Sequence, residues 1–223
     1  MFIFLLYLIL SPLILGLILF SSIFNQKIRK HLWDGRKSIQ SAKSKIELSA
    51  GIKEIILFHA ASAGEYEQLK PILKEVDRTT FFILLTFFSP TIFTIEKETA
   101  LADAVCYHPF DFPWSAKLFF RKFAIQYYII TRNDIWPTHL FIAQNLGVNT
   151  VLINANLYRD QHYNSWFMRA LLKQVFGQFN LILTGSERLK NNLLNLVASE
   201  KIQITGDSRL DRVIELKSEN NSP

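Results

Sequence analysis

The chain has 223 residues, 49% hydrophobic and 20% charged, so it can bury a real core and is not a disordered, charge-rich polymer. Its one cysteine, Cys106, excludes an intrachain disulfide framework and sits in an apolar run, where it reads as a packing residue. A net charge of +6 leaves nucleic acid or an anionic membrane as partner; its placement beside an apolar N-terminus favours the membrane, and no nucleic acid is expected.

Residues 1–24 carry no charged side chain and are dominated by Phe, Leu and Ile. At about 1.5 Å per residue, such a helix covers the roughly 30 Å of a bilayer's hydrocarbon. The segment reads as a single-pass transmembrane anchor, in which Pro12 and Gly16 are tolerated. A cleaved signal peptide is the competing reading, but it wants a basic start and a small-x-small cleavage site, and neither is present. Residues 25–50 read as a basic juxtamembrane connector. Lys27, Arg29, Lys30, Arg36 and Lys37, with Trp33 among them, suit the level of anionic headgroups. By the positive-inside bias they keep the following domain on the cytoplasmic side of the inner membrane. Within this stretch, 37–48 shows no convincing apolar face and is given no chemistry.

From 51 to 215 short apolar runs alternate with helical patterns. Residues 53–58 (KEIILF) have strand length, and from Glu65 to Val76 apolar residues recur at helical spacing. Between them His59-Ala-Ala-Ser-Ala-Gly-Glu65 forms a turn from strand to helix, the kind that faces the ligand crevice of an open α/β sheet. Gly64 and its small neighbours leave the backbone approachable, and Ser62 suits a helix cap. Two readings of Glu65 stand here: a carboxylate that stabilises a helix N-terminus, and a catalytic group at a strand end.

Residues 80–86 are a second strand; its end carries Thr86, Ser89 and Thr91, hydroxyls suited either to a sugar or phosphate site or to capping. A third strand over 101–107 stops at His108-Pro-Phe-Asp-Phe-Pro113, and an amphipathic helix follows over 114–123. The fourth strand, 124–130, empties into Thr131-Arg-Asn-Asp-Ile-Trp-Pro137, with Pro137 opening a helix to Asn145. Asp134 and Trp136 thus lie at the same kind of strand end as Glu65. A fifth strand, 150–153, ends in Asn154-Ala-Asn156. A helix over 163–176, a strand over 181–184, a Ser186-capped helix to 196 and a strand over 201–204 follow. Gly206-Asp-Ser-Arg-Leu-Asp-Arg212 leads into a polar tail, 216–223.

Strand–helix alternation with short connections predicts a Rossmann-like parallel sheet. The absence of G-x-G-x-x-G after the first strand, of a P-loop and of metal-ligand histidine spacing disfavours dinucleotide, nucleotide-hydrolysing and metal-dependent chemistry. No cofactor and no metal are expected.

Four ordered segments together resemble one family, the 3-deoxy-D-manno-octulosonic acid (Kdo) transferases. They are His59–Glu65, Pro109-Phe-Asp-Phe-Pro113, Asp134-Ile-Trp-Pro137 with Asn154-Ala-Asn156, and Gly206-Asp-Ser-Arg-Leu-Asp211. The resemblance implies the N-terminal half of a membrane-associated GT-B glycosyltransferase of lipopolysaccharide assembly. Its donor would be CMP-Kdo and its acceptor lipid A precursor. Glu65 matches the family's general base, which takes a proton from a sugar hydroxyl as that hydroxyl attacks the anomeric carbon with inversion. Ser62, Gly64, Thr86, Ser89, Thr91, Asp134, Trp136, Asn154 and Asn156 would line the acceptor side. Gly206, Asp207, Arg209 and Asp211 would lie toward the linker and donor side.

Two departures stand out. The family commonly has E-x-E-L-W-P where this chain has Arg132-Asn-Asp-Ile-Trp-Pro137, so Arg132 reverses a charge. The chain also ends where the family's linker to a donor-binding domain begins, and it is expected to need a separately encoded half for transfer. A non-catalytic, membrane-anchored module of the same fold is the alternative, and a GT-B enzyme of other sugar specificity is a third.

Overall fold

Apolar runs rich in β-branched and aromatic residues become strands where helices cover both faces, and between 54 and 204 the computed structural model places seven of them. It describes residues 2–132, 134–157 and 166–220. The strands are β1 (Glu54–Ala60), β2 (Phe81–Phe87), β3 (Ala104–Tyr107), β4 (Ile125–Thr131), β5 (Asn149–Ala155), β6 (Leu181–Thr184) and β7 (Ile202–Ile204). The helices are α1 (Phe2–Phe24), α2 (Gln26–Ser49), α3 (Ala63–Glu75), α4 (Pro90–Glu96), α5 (Pro113–Phe123), α6 (Pro137–Asn145), α7 (Trp166–Phe176), α8 (Glu187–Leu193) and α9 (Ser208–Asn220).

Every neighbouring pair of strands is parallel, in the order β3-β2-β1-β4-β5-β6-β7. The expected Rossmann-like sheet is therefore present. Along β1 successive side chains point to opposite faces. Leu57 joins a cluster with Leu84, Phe120 and Tyr128, while Phe58 joins one with Tyr66, Leu69 and Leu85. Burying each such side chain contributes roughly 1.5–3 kcal/mol before its ordering cost. From β1 the chain steps outward to β2 and β3, then returns to lay β4 on the other side of β1. The order reverses there, and in open α/β sheets the crevice lies at the carboxyl ends of the two strands flanking that point.

The structure corrects the sequence reading at several places. The stretch read as a connector is the 24-residue helix α2, whose buried side is His31, Gly35, Ser38, Ala42 and Ile46. Spacings of three and four put these on one face, but small and polar residues hide it from a hydrophobic pattern. Its task is to cover the exposed edge of β3, where Ser38 Oγ accepts a hydrogen bond from Tyr107 N at 3.2 Å. Beyond the second strand lies the short helix α4, which the sequence reading did not assign. Residues 216–220 continue α9 rather than forming a tail. Residues 163–165 of the helix expected over 163–176 lie outside the described residues; the rest form α7.

Helix α1 contains one window, Tyr7–Phe24, long and apolar enough to cross a membrane. Its outer face exposes Leu13, Leu17, Phe20 and Phe24. Near its start Ser11 is buried and the Tyr7 hydroxyl donates to the Asp111 carbonyl at 2.7 Å, which ties this end of the helix to the domain. A half-open apolar cavity of about 220 Å³ beside that contact is lined by residues including Pro137, Phe141, Leu171 and Val175.

Candidate active site at the sheet's switch point

Glu65 follows β1 and Asp134 follows β4, so the two carboxylates sit at the carboxyl ends of the strands that flank the reversal. Glu65 is there because Ala61 and Ser62 break out of the strand and Ser62 caps α3. Ser62 Oγ accepts from Glu65 N at 3.4 Å, and Glu65 Oε2 accepts from Ala61 N at 2.8 Å and Ser62 N at 3.2 Å. This reciprocal capping box means that the stabilising reading of Glu65 describes a real contact. It does not exhaust the group, because the side chain stays partly exposed. Burial first, and then the Asp134 charge, raises the Glu65 carboxyl above its ordinary value, against the opposing pull of the Ala61 N–H and of His59.

Asp134 is held differently. Its Oδ2 accepts from His59 Nε2 and from Trp136 Nε1, each at 2.8 Å, and 26% of its side chain is exposed. Burial works to raise its carboxyl, but the bonds and charge of His59 and the Trp136 bond outweigh it and keep the group below its ordinary value. The pair is therefore asymmetric, with one carboxyl more basic and the other fixed as an anion, the pattern that separates roles in acid–base sites.

Below the pair lies a row of buried imidazoles. The rings of His59 and His108 are 4.0 Å apart, and those of His108 and His139 4.3 Å. His108 Nε2 lies 3.0 Å from the Tyr128 hydroxyl, and His139 Nδ1 donates to Asp111 Oδ1 at 2.8 Å. Burial lowers both the His108 and the His139 ring, the former well below the ordinary value. Asp111 also accepts from the backbone N–H of Thr138 and His139, capping α6 from a distant loop. Sequence reasoning missed His59, His108, His139 and Asp111 as members of one network. Only His59, inside the small-residue turn, carried a local signal.

The other expected site residues divide. Gly64 is exposed in the first turn of α3, and Ser89 precedes α4 without a side-chain cap bond. Thr91 is exposed on α4, and Trp136 is partly buried over His59 and His108. Thr86, by contrast, is fully buried, 3.1 Å from His59 Nδ1 and donating to the Phe58 carbonyl at 3.1 Å. It supports the histidine and presents nothing to a ligand. Asn154 is likewise spent: in a left-handed backbone conformation (φ 53°), its amide donates to Ser208 Oγ at 2.7 Å and accepts from Ser208 N at 3.1 Å. It pins the start of α9, whereas Asn156 is buried next to the end of β5. Both corrections have one cause, a polar side chain at a strand end satisfied by neighbouring protein groups.

On the linker side Gly206 adopts φ 90°, a conformation that favours glycine. Asp207 accepts from Arg209 Nε at 2.9 Å. Burial raises the Asp207 carboxyl, but the Arg209 bonds and charge, joined by the Arg132 charge, leave it below its ordinary value. Arg132, the charge-reversed position of the loop, thus acts on Asp207 and not only on its own segment. Asp211 is exposed on α9 facing a groove with Ile72 and Glu75. Among the described residues no group of three or more His, Cys, Asp or Glu is placed to hold a metal ion.

The parallel sheet with Glu65 and Asp134 at its switch point defines a Rossmann-like domain of the GT-B kind. It overlays on UDP-GlcNAc 2-epimerases from Methanocaldococcus jannaschii (TM-score 0.53, 17% identity, 76% of this chain and 50% of that one) and Rickettsia bellii (TM-score 0.57, 10% identity, 76% and 49%). At those identities the likeness is one of fold. A family model described as 3-deoxy-D-manno-octulosonic-acid transferase (kdotransferase) matches residues 26–212, and the chain belongs to that family. Similar proteins include the 3-deoxy-D-manno-octulosonic acid transferases of Chlamydia trachomatis (26% identical over 160 residues; 70% of this chain, 37% of the relative) and Haemophilus influenzae (26% over 163; 70% and 38%). That of Aquifex aeolicus is 32% identical over 104 residues, covering 46% of this chain and 28% of the relative. The chain thus spans little more than a third of the length of the relatives it matches most extensively.

Proposed function

We propose that this chain is the acceptor-binding half of a Kdo transferase, with Glu65 as the general base. A sugar hydroxyl of lipid A precursor gives its proton to Glu65 while its oxygen attacks the anomeric carbon of CMP-Kdo; CMP leaves from the opposite face and the configuration inverts. The observation that carries this is the partly exposed Glu65 carboxyl, raised by burial and by Asp134, at the switch point of the sheet. A carboxylate of raised proton affinity takes a hydroxyl proton more readily as the new bond forms. Asp134, held by His59 and Trp136, keeps a negative charge beside it.

CMP-Kdo is bound mainly outside residues 26–212, with the Gly206–Asp211 segment on the side nearest that donor site. The apolar helix α1 brings the domain to the inner membrane, with the basic start of α2 on the cytoplasmic side. The Tyr7–Asp111 bond ties the start of this anchor to the domain, which keeps the domain against the membrane. The test is to combine the chain with a candidate donor-binding half and assay Kdo transfer to lipid A precursor. Transfer that needs both parts and is lost in Glu65→Gln supports the reading; full transfer by the Gln variant overturns the assignment of the base.

A second reading, a membrane-bound binding module without transfer, is favoured by the capping box, which gives Glu65 a structural reason to be present. Acceptor binding by the chain with no transfer from any donor half would select it.

A further inference from the structure

Where α1 ends, a groove of about 370 Å³ opens between the first turns of α2 and the helix α4. Gln26, Lys27 and Lys30 form one wall; Thr91, Thr94 and Ile95 stand on the other. Lys30 Nζ donates to Thr94 Oγ1 at 2.8 Å across it, and that hydroxyl donates to the Pro90 carbonyl at 2.8 Å. Neither wall contributes a carboxylate. Among the described residues Lys27 and Lys30 form no salt bridge; of the acidic side chains near α4, Glu96 is paired with Lys70 and Glu98 with Lys45, and Asp34, one turn beyond Lys30, is not part of the groove lining. Two ammonium groups and the Thr91 hydroxyl facing one open space, with no carboxylate in its lining, are a donor set for a phosphate.

The rim says what carries that phosphate. Phe24 is 78% exposed immediately before the groove, Ile95 71% exposed on its far wall, and Trp33, 74% exposed, stands one turn beyond Lys30. Large apolar side chains interleaved with lysines at the end of an apolar helix belong at a lipid–water boundary, where apolar groups enter the acyl region and ammonium groups meet headgroups. The groove lies beyond the carboxyl end of β2, the neighbour of β1, and so on the same edge of the sheet as Glu65.

We propose that this groove binds the phosphate of a lipid headgroup, with Lys27 and Lys30 supplying charge, Thr91 supplying a hydroxyl donor and Thr94 holding the Lys30 ammonium in place. The inference rests on the reading of α1 as a lipid-embedded helix and gives Thr91 a specific task on the acceptor side. A lipid held there by its phosphate monoester would be fixed at the membrane surface on the edge of the sheet that carries Glu65.

The full chain in neutral detergent micelles would be titrated calorimetrically with short-chain phosphatidate, with phosphatidylcholine of the same chain length and with inorganic phosphate. The expected result is phosphatidate binding at least tenfold tighter than either. Lys27→Gln with Lys30→Gln should weaken it tenfold or more. Thr91→Val with Thr94→Val, which keeps both charges, should weaken it at least threefold, with an unchanged far-ultraviolet dichroism spectrum and melting temperature showing that the fold is intact. Wild-type affinity in the threonine variant would reduce the groove to a diffuse basic surface and overturn the proposal, as would equal affinity for phosphatidylcholine. Inorganic phosphate binding as tightly as phosphatidate would assign the site to free phosphate and overturn the lipid source. Glu65→Gln should bind phosphatidate like the wild type, so loss of transfer and loss of headgroup binding are read separately.

Discussion

The carboxyl ends of β1 and β4 and the carboxyl end of β5 occupy equivalent positions along one parallel sheet, yet they do opposite things with their polar residues. At β1 and β4 the structure leaves two carboxyls partly exposed and sets them apart electrostatically. At β5 the buried amide of Asn154 both donates to and accepts from Ser208, and Ser208 Oγ donates onward to the Gln68 carbonyl at 2.7 Å. The difference is whether another element crosses the strand end. Helix α9 is packed along α3 by Arg212 to Glu67 at 2.7 Å and Lys74 to Glu215 at 3.2 Å, and its first residue closes over β5. Among the described residues no helix is bonded over Glu65 in this way. Position at a strand end marks a candidate, and unspent hydrogen-bonding and charge capacity separates a site from a joint.

The sharpest way to break this contrast is Glu65→Gln in a transfer-competent pair, where the base reading expects a rate loss of about 10²–10⁴-fold. The amide oxygen can still accept from Ala61 and Ser62, so the chain should remain folded. Because the folded-state value of Glu65 is raised, its protonated form is the favoured one: the stability it lends is present below the unfolded value and is lost as pH rises through the folded value. Chemical denaturation should therefore show the Gln variant gaining on the wild type as pH rises through that window.

Asn154→Ala is the counterpart at the spent end. It forfeits two bonds to Ser208 and leaves alanine in a left-handed conformation, so a stability loss of about 2–3 kcal/mol is expected in urea unfolding. A loss no greater than that of an exposed surface substitution would show that the joint holds nothing. Asp134→Asn probes the asymmetry between the carboxyls. Removing the charge that, after burial, does most to raise Glu65 should lower the Glu65 value and move the acid limb of the rate profile to lower pH. Carbon-13 titration of the Glu65 carboxyl gives the same answer without turnover, and an unmoved titration would uncouple the two groups.

Ser62→Ala removes only the cap of α3 and should cost about 1 kcal/mol in thermal or denaturant unfolding while leaving the titration order of Glu65 and Asp134 intact. Tyr7→Phe is expected to have the smallest effect, about 0.5–1.5 kcal/mol, felt as looser docking of α1 in protease protection of the first 24 residues. Equal protection in both proteins would mean that the apolar contacts along α1 hold it without the hydroxyl.

The sequence by itself determined the order of the seven strands, most of the helices between them, the apolar N-terminal segment and the turn that carries Glu65. Period-two and period-three-and-a-half patterns, small residues and a capping serine are local, and the physics that fixes them acts within a few residues. Tertiary structure decided the rest. His59 meets Asp134 across 75 positions, and Asp111 caps a helix that begins 26 residues later, contacts with no short-range signature. It also decided that α2 covers a sheet edge, because its buried stripe is made of Ser, Gly, Ala and His, which a hydrophobicity pattern does not register. Thr86 and Asn154 look in the sequence like any polar residue at a strand end. Only the packing of His59 under one and α9 over the other consumed the hydrogen bonds that a ligand would have needed.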